Sequence, residues 1–226
     1  MVRRVSCFNS SMTFDEKLRA AEKHLSKVDK RLAPVIKQSG PCRIKPHKDH
    51  YGELVGSIVG QQLSTHAAAA IWKRVLDLFD GNMPQPEQLV DIDGQKLRDI
   101  GFSWAKVRYV KDLAGHILDG RLDLEHISKM PNEQVIEQLT AVKGIGEWSA
   151  HMFMMFGLGR LDILPVGDLG IRKAIQKLYG LRALPDPAKI ITIANKNKWH
   201  PYESVACWYL WQSLDNSPKK QTRHSA

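Results

Sequence analysis

Signals that start a helix recur along this chain, and each is followed by apolar residues at helical spacing. Thr13 and Glu16 form a capping-box pattern ahead of the first such run. Ser64 and Ser103 precede two further amphipathic runs as predicted N-caps, and Gly180 follows another run as a C′ glycine. One strand-like stretch, "KIITIA", is short and lies in a helical context. The pattern therefore predicts an all-α protein.

Length and composition bound the class of protein. The chain has 226 residues, of which 43% are hydrophobic, enough for one large domain or two small ones that share an interface. No apolar run reaches the length of a membrane span, and "MVRRVSCFNSSM" lacks the apolar stretch of a secretory signal. Cys7, Cys42 and Cys207 show neither metal-site nor disulfide-framework spacing. We expect an intracellular protein without a membrane partner, in the cytoplasm or nucleoid of a bacterium or the nucleus of a eukaryote.

Positive charge is concentrated toward both ends of the chain. The formal net charge is +9, and residues 1–50 hold 12 Lys or Arg against 5 Asp or Glu, a net of +7. Residues 218–226 add +3, whereas residues 51–217 sum to −1. A polyanionic partner fits these basic ends, and solvated basic termini fit them equally well. If nucleic acid binds the middle of the chain, backbone groups and a few placed cations must hold it there.

The run "VKGIG" at 142–146 separates two predicted helices and places two glycines one residue apart. Gly144 and Gly146 allow a positive φ and leave nearby peptide N–H groups uncovered. Uncovered N–H groups at a helix start bind an anion, such as a nucleic-acid phosphate, without any sequence being read. Lys143 can add a charge to this site and Ser149 a hydroxyl. The alternative is an ordinary tight turn between packed helices.

Four stretches extend the hairpin signal over most of the chain. In order they read "GSIVGQQLSTHAAAAIW", "IGFSWAKVRYVKDLA", "LTAVKGIGEWSAHMFMMFGLGRLDILPVGDLGIRKA" and "SVACWYLWQ". Together they resemble the helix–hairpin–helix (HhH-GPD) DNA glycosylase superfamily, most of all its AlkA-like 3-methyladenine branch. The resemblance implies a two-lobed, all-α fold with a DNA-binding cleft between the lobes. One lobe would hold residues 1–50 and about 165–226, and the other about 51–164 with the hairpin at 142–147.

The resemblance also implies how DNA is held. The partner would be double-stranded DNA containing alkylated bases, bound by a monomer. A flipped nucleotide leaves a gap that an inserted side chain fills, and this wedge lies in the loop "GQQLST". Leu63 suits the wedge physically, alignment with the branch favours Gln62, and a core leucine is the alternative for Leu63. The residues implied to contact DNA are Lys143, Gly144, Ile145, Gly146 and Ser149 of the hairpin region, with Gln62, Leu63 and Ser64 as wedge candidates.

Asp168 in "LPVGDLGIRK" matches the catalytic aspartate of the family. Hydrolysis of an N-glycosidic bond passes through an oxocarbenium-like deoxyribose. A fixed carboxylate beside C1′ stabilises that positive charge, and it can orient or deprotonate a water. Alkylated purines such as 3-methyladenine are cationic, so the base already leaves well. The alternative is an N-cap role for Asp168 in the next helix, and the two roles are compatible.

Trp148 decides the predicted subclass. Members of the superfamily that also cut the strand carry a lysine at this position, where its amine attacks C1′. A tryptophan there predicts monofunctional hydrolysis of the DNA-3-methyladenine glycosylase II type, without AP-lyase activity and without a cofactor for catalysis. The iron–sulfur branch is excluded because its four-cysteine cluster is missing.

The base pocket is predicted to be partly aromatic. Trp148 and Trp211 match pocket aromatics of the family, and each good contact with a flat cationic base is worth ~0.5–2 kcal/mol. Met152 and Leu169 fall where the branch has tyrosines, which leaves a less aromatic pocket. Trp208 is assigned to the core.

The family hairpin often binds a monovalent cation through backbone carbonyls. The matching carbonyls belong to Thr140, Val142 and Ile145, which would hold a structural Na⁺ or K⁺. His47, Asp49 and His50 could also suggest a metal site. A basic surface loop explains them better, because no further cluster of ligands accompanies them.

These features lead to one functional prediction with two alternatives. The prediction is a DNA glycosylase that flips alkylated purines out of duplex DNA and starts base excision repair. The first alternative is a glycosylase for deaminated or oxidised purines, which the replaced pocket tyrosines keep open. The second is a helix–hairpin–helix DNA-binding protein without catalysis.

Overall fold

A computed structural model describes residues 12–215, and within that range the chain folds into α-helices without a β-strand. The prediction of an all-α protein is confirmed. The helices are α1 (Phe14–Val28), α2 (Leu32–Ser39), α3 (His50–Gly60), α4 (Thr65–Leu78), α5 (Pro86–Asp91), α6 (Gly94–Asp99), α7 (Trp104–Leu118), α8 (Asn132–Ala141), α9 (Glu147–Met152), α10 (Leu169–Tyr179), α11 (Pro187–Lys196) and α12 (Glu203–Asp215). A 3₁₀ turn, Ile127–Lys129, precedes α8, and a π-helical turn, Phe153–Gly157, follows α9.

The predicted helix starts are confirmed where side-chain caps were expected. The Thr13 hydroxyl accepts the N–H of Glu16 at 3.3 Å, and the Glu16 carboxylate accepts the N–H of Thr13 at 2.7 Å. Ser64 and Ser103 each accept an N–H from the third residue of the helix that follows. Gly180 ends α10 at φ +67°, the left-handed conformation that glycine adopts without strain. Short polar side chains therefore fix where these helices begin.

The chain divides into two compact units. The first contains the described residues up to Ile44 and from Arg160 onward, and the second is Lys45–Gly159. The resemblance implied boundaries at residue 50 and about 165. Each lies a few residues after the corresponding boundary in the structure. Asp168 and Trp211 belong to the first unit, and the glycine hairpin belongs to the second.

The core of the first unit forms where α12 packs against α2 and α10. Tyr209 is fully buried there, and its hydroxyl donates to Glu22 Oε1 at 3.0 Å or to the carbonyl of Gly40 at 2.8 Å. Trp208 is only half-buried and meets the Tyr209 ring edge-on at 4.9 Å. The assignment of Trp208 to the core is therefore wrong. Because the run "ACWYLW" within α12 is apolar throughout, helical periodicity could not choose between the neighbours.

A buried carboxylate fixes the far end of α10. Asp29 is fully buried, and its Oδ1 accepts the N–H groups of Arg31 at 2.9 Å and Leu32 at 3.1 Å. Its Oδ2 accepts the indole N–H of Trp199 at 2.8 Å and the hydroxyl of Tyr179. These four donors satisfy the charge, as burial requires. Tyr179 lies in the last turn of α10, so Asp29 anchors the helix whose other end begins at Asp168.

In the second unit, α7 packs against α3, α5 and α6. Its Lys106 ammonium donates to the carbonyl of Val59 at 2.7 Å, near the end of α3. Burial lowers the pKa of Lys106. Further along the unit, the N–H of His47 donates to the carbonyl of Gly157 at 3.0 Å and the rings of His50 and Phe153 meet edge-on at 5.7 Å. The helix α7 thus serves as a platform for both α3 and, as shown below, the hairpin.

No helix in the part of the chain from 12 to 215 is long and apolar enough to cross a lipid bilayer.

Candidate active site

Asp168 is the N-cap of α10 and is only half-buried. Its Oδ1 accepts the backbone N–H of Ile171 at 2.7 Å and the indole N–H of Trp211 at 3.0 Å. The predicted cap role is confirmed. Two donors on one oxygen fix the orientation of the carboxylate while its position at the protein surface keeps it within reach of solvent. Such a carboxylate can stabilise a developing positive charge.

The approach of Trp211 to this carboxylate depends on a glycine. A Cβ atom at Gly170 would lie 3.0 Å from both Cδ1 and Nε1 of Trp211 and 3.0 Å from Oδ1 of Asp168. Real Cβ atoms are rarely this close to a ring, so a larger residue at 170 would push the indole away. Sequence analysis named Asp168 and Trp211 as site residues but missed Gly170. The residues "DLG" carried the only sequence signal, a glycine inside the first turn of a helix.

Glu203, Cys207 and Trp211 follow one another at intervals of four residues on α12 and so share a face. Burial raises the pKa of Cys207 well above its usual value, with the Glu203 and Asp168 carboxylates adding to the effect. Burial also raises the pKa of Glu203. His200, whose Nδ1 lies 3.1 Å from Glu203 Oε1, acts in the opposite direction. Glu203 was not singled out from the sequence because a single Glu in a helix carries no pattern. His200 lies three residues before Glu203, the first residue of α12.

The remaining pocket candidates occupy exposed or half-buried positions. Leu169 is the first residue of α10 and is 50% exposed beside Asp168. Trp148 is 55% exposed on α9, and Met152 lies one turn later on the same helix and is half-buried. The structure therefore places Asp168, Leu169 and Trp211 together in the first unit, and Trp148 and Met152 on one face of α9 in the second.

The hairpin is held against α7 by a glycine. Gly144 has φ +85°, and a Cβ there would lie 2.2 Å from Cδ2 of Tyr109. Gly144 is therefore required twice, by its backbone conformation and by the ring beneath it. The same expectation for Gly146 is wrong. Gly146 has φ −91°, an extended conformation open to any residue, and a Cβ there would meet no heavy atom within 4 Å.

Asp112 of α7 engages the lysine of the hairpin. Its Oδ2 accepts the backbone N–H of Lys143 at 2.8 Å, and its Oδ1 lies 3.2 Å from the Lys143 ammonium. Burial acts to raise the pKa of Asp112, but the two hydrogen bonds from Lys143 and the nearby His116 outweigh it, so the pKa lies below its usual value. Sequence analysis assigned Lys143 to DNA and missed Asp112, which is 31 residues away along the chain. The backbone N–H of Lys143 is thus already occupied.

The wedge candidates lie in a tight turn after α3. Gln62 adopts φ +57°, an uncommon conformation for a residue other than glycine, and the N–H of Leu63 donates to the carbonyl of Gly60 at 3.2 Å. Leu63 is 38% exposed, and Ser64 is exposed and caps α4. The alternative of Leu63 as a core leucine is therefore wrong. Gln61 reaches from this turn to the hairpin, where its Nε2 donates to the carbonyl of Gly144 at 2.8 Å.

Other polar groups form local pairs. His47 lies 3.1 Å from Glu53, and Asp49 caps α3 by accepting the N–H of Gly52 at 2.8 Å. No group of three or more His, Cys, Asp or Glu side chains that could hold a metal ion occurs in the described residues 12–215. Cys42 is a buried thiol whose pKa burial raises to about 12. Cys7 lies outside the described residues.

The glycine hairpin before α9 and the aspartate that caps α10 are the features on which the sequence resembles helix–hairpin–helix DNA glycosylases. Residues 55–200 match the model of the HhH-GPD superfamily base excision DNA repair protein. The chain belongs to this superfamily.

Three individual proteins are similar to this chain over most of its length. It is 32% identical over 206 residues to alkylbase DNA glycosidase-like protein mag2 of Schizosaccharomyces pombe, covering 89% of this chain and 96% of that protein. A crystal structure of DNA-3-methyladenine glycosidase from Bacillus halodurans superimposes with a TM-score of 0.78 and 41% identity, covering 87% and 89% of the two chains. The 3-methyladenine DNA glycosylase Mag1 of S. pombe, solved with abasic DNA, superimposes with a TM-score of 0.72 and 33% identity over 85% of this chain and 95% of that chain.

Proposed function

We propose that this protein is a monofunctional DNA glycosylase that hydrolyses the N-glycosidic bond of alkylated purines in duplex DNA. The observation that carries the proposal is the half-exposed Asp168 carboxylate, oriented by Ile171 and Trp211. Membership of the base excision repair superfamily supports it. So do relatives named as 3-methyladenine glycosylases, one of them bound to abasic DNA. The enzyme would act as an intracellular monomer.

Asp168 would act on the sugar. As the bond to the base lengthens, positive charge develops on C1′ and the ring oxygen, and the carboxylate stabilises that charge. Its Oδ1 is held by two donors, so it is already oriented before substrate arrives and needs little reorganisation. The carboxylate would also orient or deprotonate the water that attacks C1′. Products would be a free base and an abasic site.

The base would leave without acid catalysis. A purine alkylated at N3 or N7 carries a positive charge that departure neutralises, so the enzyme mainly supplies access and an anionic partner for the sugar. Trp148, Trp211, Met152 and Leu169 would line the base pocket. Half-exposed or exposed Trp faces offer cation–π contacts of about 0.5–2 kcal/mol each. Met and Leu in place of aromatic residues would make the pocket more tolerant of base shape.

Trp148 would exclude a lyase step. Strand cleavage by the superfamily needs a lysine amine at this position, and an indole forms no Schiff base with C1′. Lys143 does not replace it, because its ammonium lies 3.2 Å from Asp112. We therefore propose the DNA-3-methyladenine glycosylase II type of reaction, which stops at the abasic site.

The hairpin would hold the strand. No side chain caps α9 at Gly146, so the start of this helix remains open toward an anion such as a DNA phosphate. Ser149, half-buried in the first turn, adds a hydroxyl, while Gly144 and Ile145 shape the turn. Lys143 would contribute through its ammonium rather than its backbone N–H. A residue of the turn at 62–64 would fill the space of the flipped nucleotide.

The carbonyls of the hairpin would hold a monovalent cation. The Val142 carbonyl accepts the N–H of Ile145 at 3.1 Å, and the carbonyls of Thr140 and Ile145 accept no backbone hydrogen bond outside the helices among residues 12–215. Oxygen donors of this kind suit Na⁺ or K⁺. The ion would add positive charge beside the phosphate, and catalysis itself would require no cofactor.

Base release from damaged DNA tests the proposal. The parent protein and Asp168→Asn are incubated with alkylated, deaminated and oxidised duplexes, and mass spectrometry identifies the freed bases. We expect alkylated purines from the parent, and a fall of about 10²-fold or more for Asp168→Asn because the charge on the sugar loses its partner. Asn is as good an N-cap as Asp, so folding and DNA affinity should be retained.

The other outcomes separate the alternatives. Release of only deaminated or oxidised purines would favour the second glycosylase class. Binding without any release by the parent would favour a non-catalytic DNA-binding protein. Borohydride trapping of the parent on DNA would contradict the assignment of Trp148.

A further inference from the structure

A single hydrogen bond joins the wedge turn to the hairpin. Gln61 ends α3 and directs its Nε2 to the carbonyl of Gly144 at 2.8 Å, across 83 residues of sequence. Gln61 is half-buried, whereas Gln62, Leu63 and Ser64 are exposed. The side chain that makes the link is therefore not one of those that reach outward from the turn.

Helix α7 contacts the segments on both sides of this bond. On the hairpin side, the Gly144 backbone lies directly against the Tyr109 ring, and Asp112 grips Lys143 through two contacts. On the wedge side, Lys106 donates to the carbonyl of Val59, two residues before Gln61. Helix α7 thus contacts both the wedge turn and the hairpin, and the side chain of Gln61 connects the two directly.

The turn itself has little freedom. The N–H of Gln61 donates to the carbonyl of Ile58 at 3.3 Å, and the N–H of Leu63 donates to that of Gly60 at 3.2 Å. Gln62 between them is in the left-handed region at φ +57°. Residues held in such conformations cluster where surrounding structure fixes them for function.

We propose that Gln61 is a positioning residue that sets the distance between the phosphate grip and the stack-opening side chain. When the hairpin holds a phosphate, the bond from Gln61 to Gly144 holds the wedge turn in register with that strand. The opened DNA duplex is then stabilised by a preorganised protein loop. The inference rests on the proposed function, since it concerns the step that presents the base to Asp168.

Two substitutions remove the bond in different ways. Gln61→Met keeps the length and packing of the side chain but has no donor, and Gln61→Asn keeps the amide but is one methylene too short. Gln95→Met is the matched control, because Gln95 Nε2 also donates at 2.8 Å, to Asp99 on α6, away from both loops. The four proteins are compared by thermal unfolding, affinity for undamaged duplex, single-turnover base release and the fluorescence of a 2-aminopurine beside an abasic site.

We expect both Gln61 variants to release base about three- to tenfold more slowly at saturating enzyme, the effect of one lost hydrogen bond. The 2-aminopurine signal for the opened stack should fall in parallel. Affinity for undamaged DNA should stay within about twofold, since no charge or phosphate contact is removed. Gln95→Met should match the parent in all four measurements.

Two results would overturn the inference. One is release and stack opening at the parental rate in both variants. The other is a loss of thermal stability and of affinity for undamaged DNA in step with the rate, which would make Gln61 only a structural residue. The fluorescence and affinity measurements need no bond cleavage. A parent that releases no alkylated base would therefore defeat the proposed function while leaving the coupling of the two loops measurable.

Discussion

At the scale of single residues, the surroundings of Asp168 depend on a face of α12 that is largely withdrawn from water. Trp211 on this face donates to the carboxylate, while burial raises the pKa of Cys207 one turn earlier and of Glu203 two turns earlier. The Glu203 Oε2 atom is buried and has no hydrogen-bond partner among the described residues 12–215. Because burial raises the pKa of Glu203, its titration makes folding sensitive to pH.

Glu203→Gln tests this sensitivity. Because the folded pKa of Glu203 is raised, the unfolded chain loses its proton first, near 4.5. The stabilising contribution of Glu203 is therefore complete below that pH and is lost as pH rises toward the folded pKa. We expect the stability of Glu203→Gln relative to the parent to increase with pH from 4.5 to 8 in urea unfolding. A difference between Glu203→Gln and the parent that stays constant with pH would contradict the prediction.

At the scale of elements, the two hairpin glycines offer a matched comparison. Gly144→Ala places a methyl at φ +85° and 2.2 Å from the Tyr109 ring. The left-handed conformation costs roughly 1–2 kcal/mol and the overpacking roughly 1–3 kcal/mol. We expect Gly144→Ala to lower the free energy of unfolding by about 2–4 kcal/mol in urea titrations. Gly146→Ala should lower it by less than about 1 kcal/mol, the small penalty of alanine at an N-cap. Equal losses in the two variants would show that Tyr109 moves aside at no cost.

The same scale shows what sequence could and could not predict. The caps at Thr13, Ser64, Ser103 and Asp168 were visible because a capping residue and the amide it binds are two or three positions apart. The resemblance placed Asp168 and Trp211 in one site. By contrast, Gln61 with Gly144 and Asp112 with Lys143 meet only through the packing of α3 and α7, which no local pattern encodes.

Gly146 and the end of α9 show the same limit. Two glycines one residue apart look equivalent in sequence, but only Gly144 has a positive φ and only Gly144 lies against a ring. The amphipathic run after the hairpin predicts one continuous helix. The structure instead ends α9 at Met152 and continues in a π-helical turn over Phe153–Gly157. Such turns follow from tertiary packing and often mark functional sites.

At the scale of the whole molecule, charge is distributed unevenly between the middle and the ends of the chain. Residues 51–217, which include the hairpin and Asp168, sum to −1, whereas 1–50 and 218–226 sum to +7 and +3. The hairpin would position the DNA strand through backbone amides and through Lys143, whose ammonium already pairs with Asp112. We therefore predict that much of the long-range attraction for DNA comes from the ends.

Replacing Lys219, Lys220 and Arg223 with Gln tests this division of roles. Each phosphate contact contributes about −0.9 to the slope of log K against log salt, so loss of three cations should make the slope shallower by about 2–3. Affinity for damaged and undamaged duplex should weaken equally, while base release from the bound complex stays at the parental rate because Asp168 is untouched. Binding measured by fluorescence anisotropy at several salt concentrations, beside a Ser217→Ala control, gives the slope. An unchanged slope would mean that this basic end is merely solvated and that the cations of residues 1–50 supply the attraction.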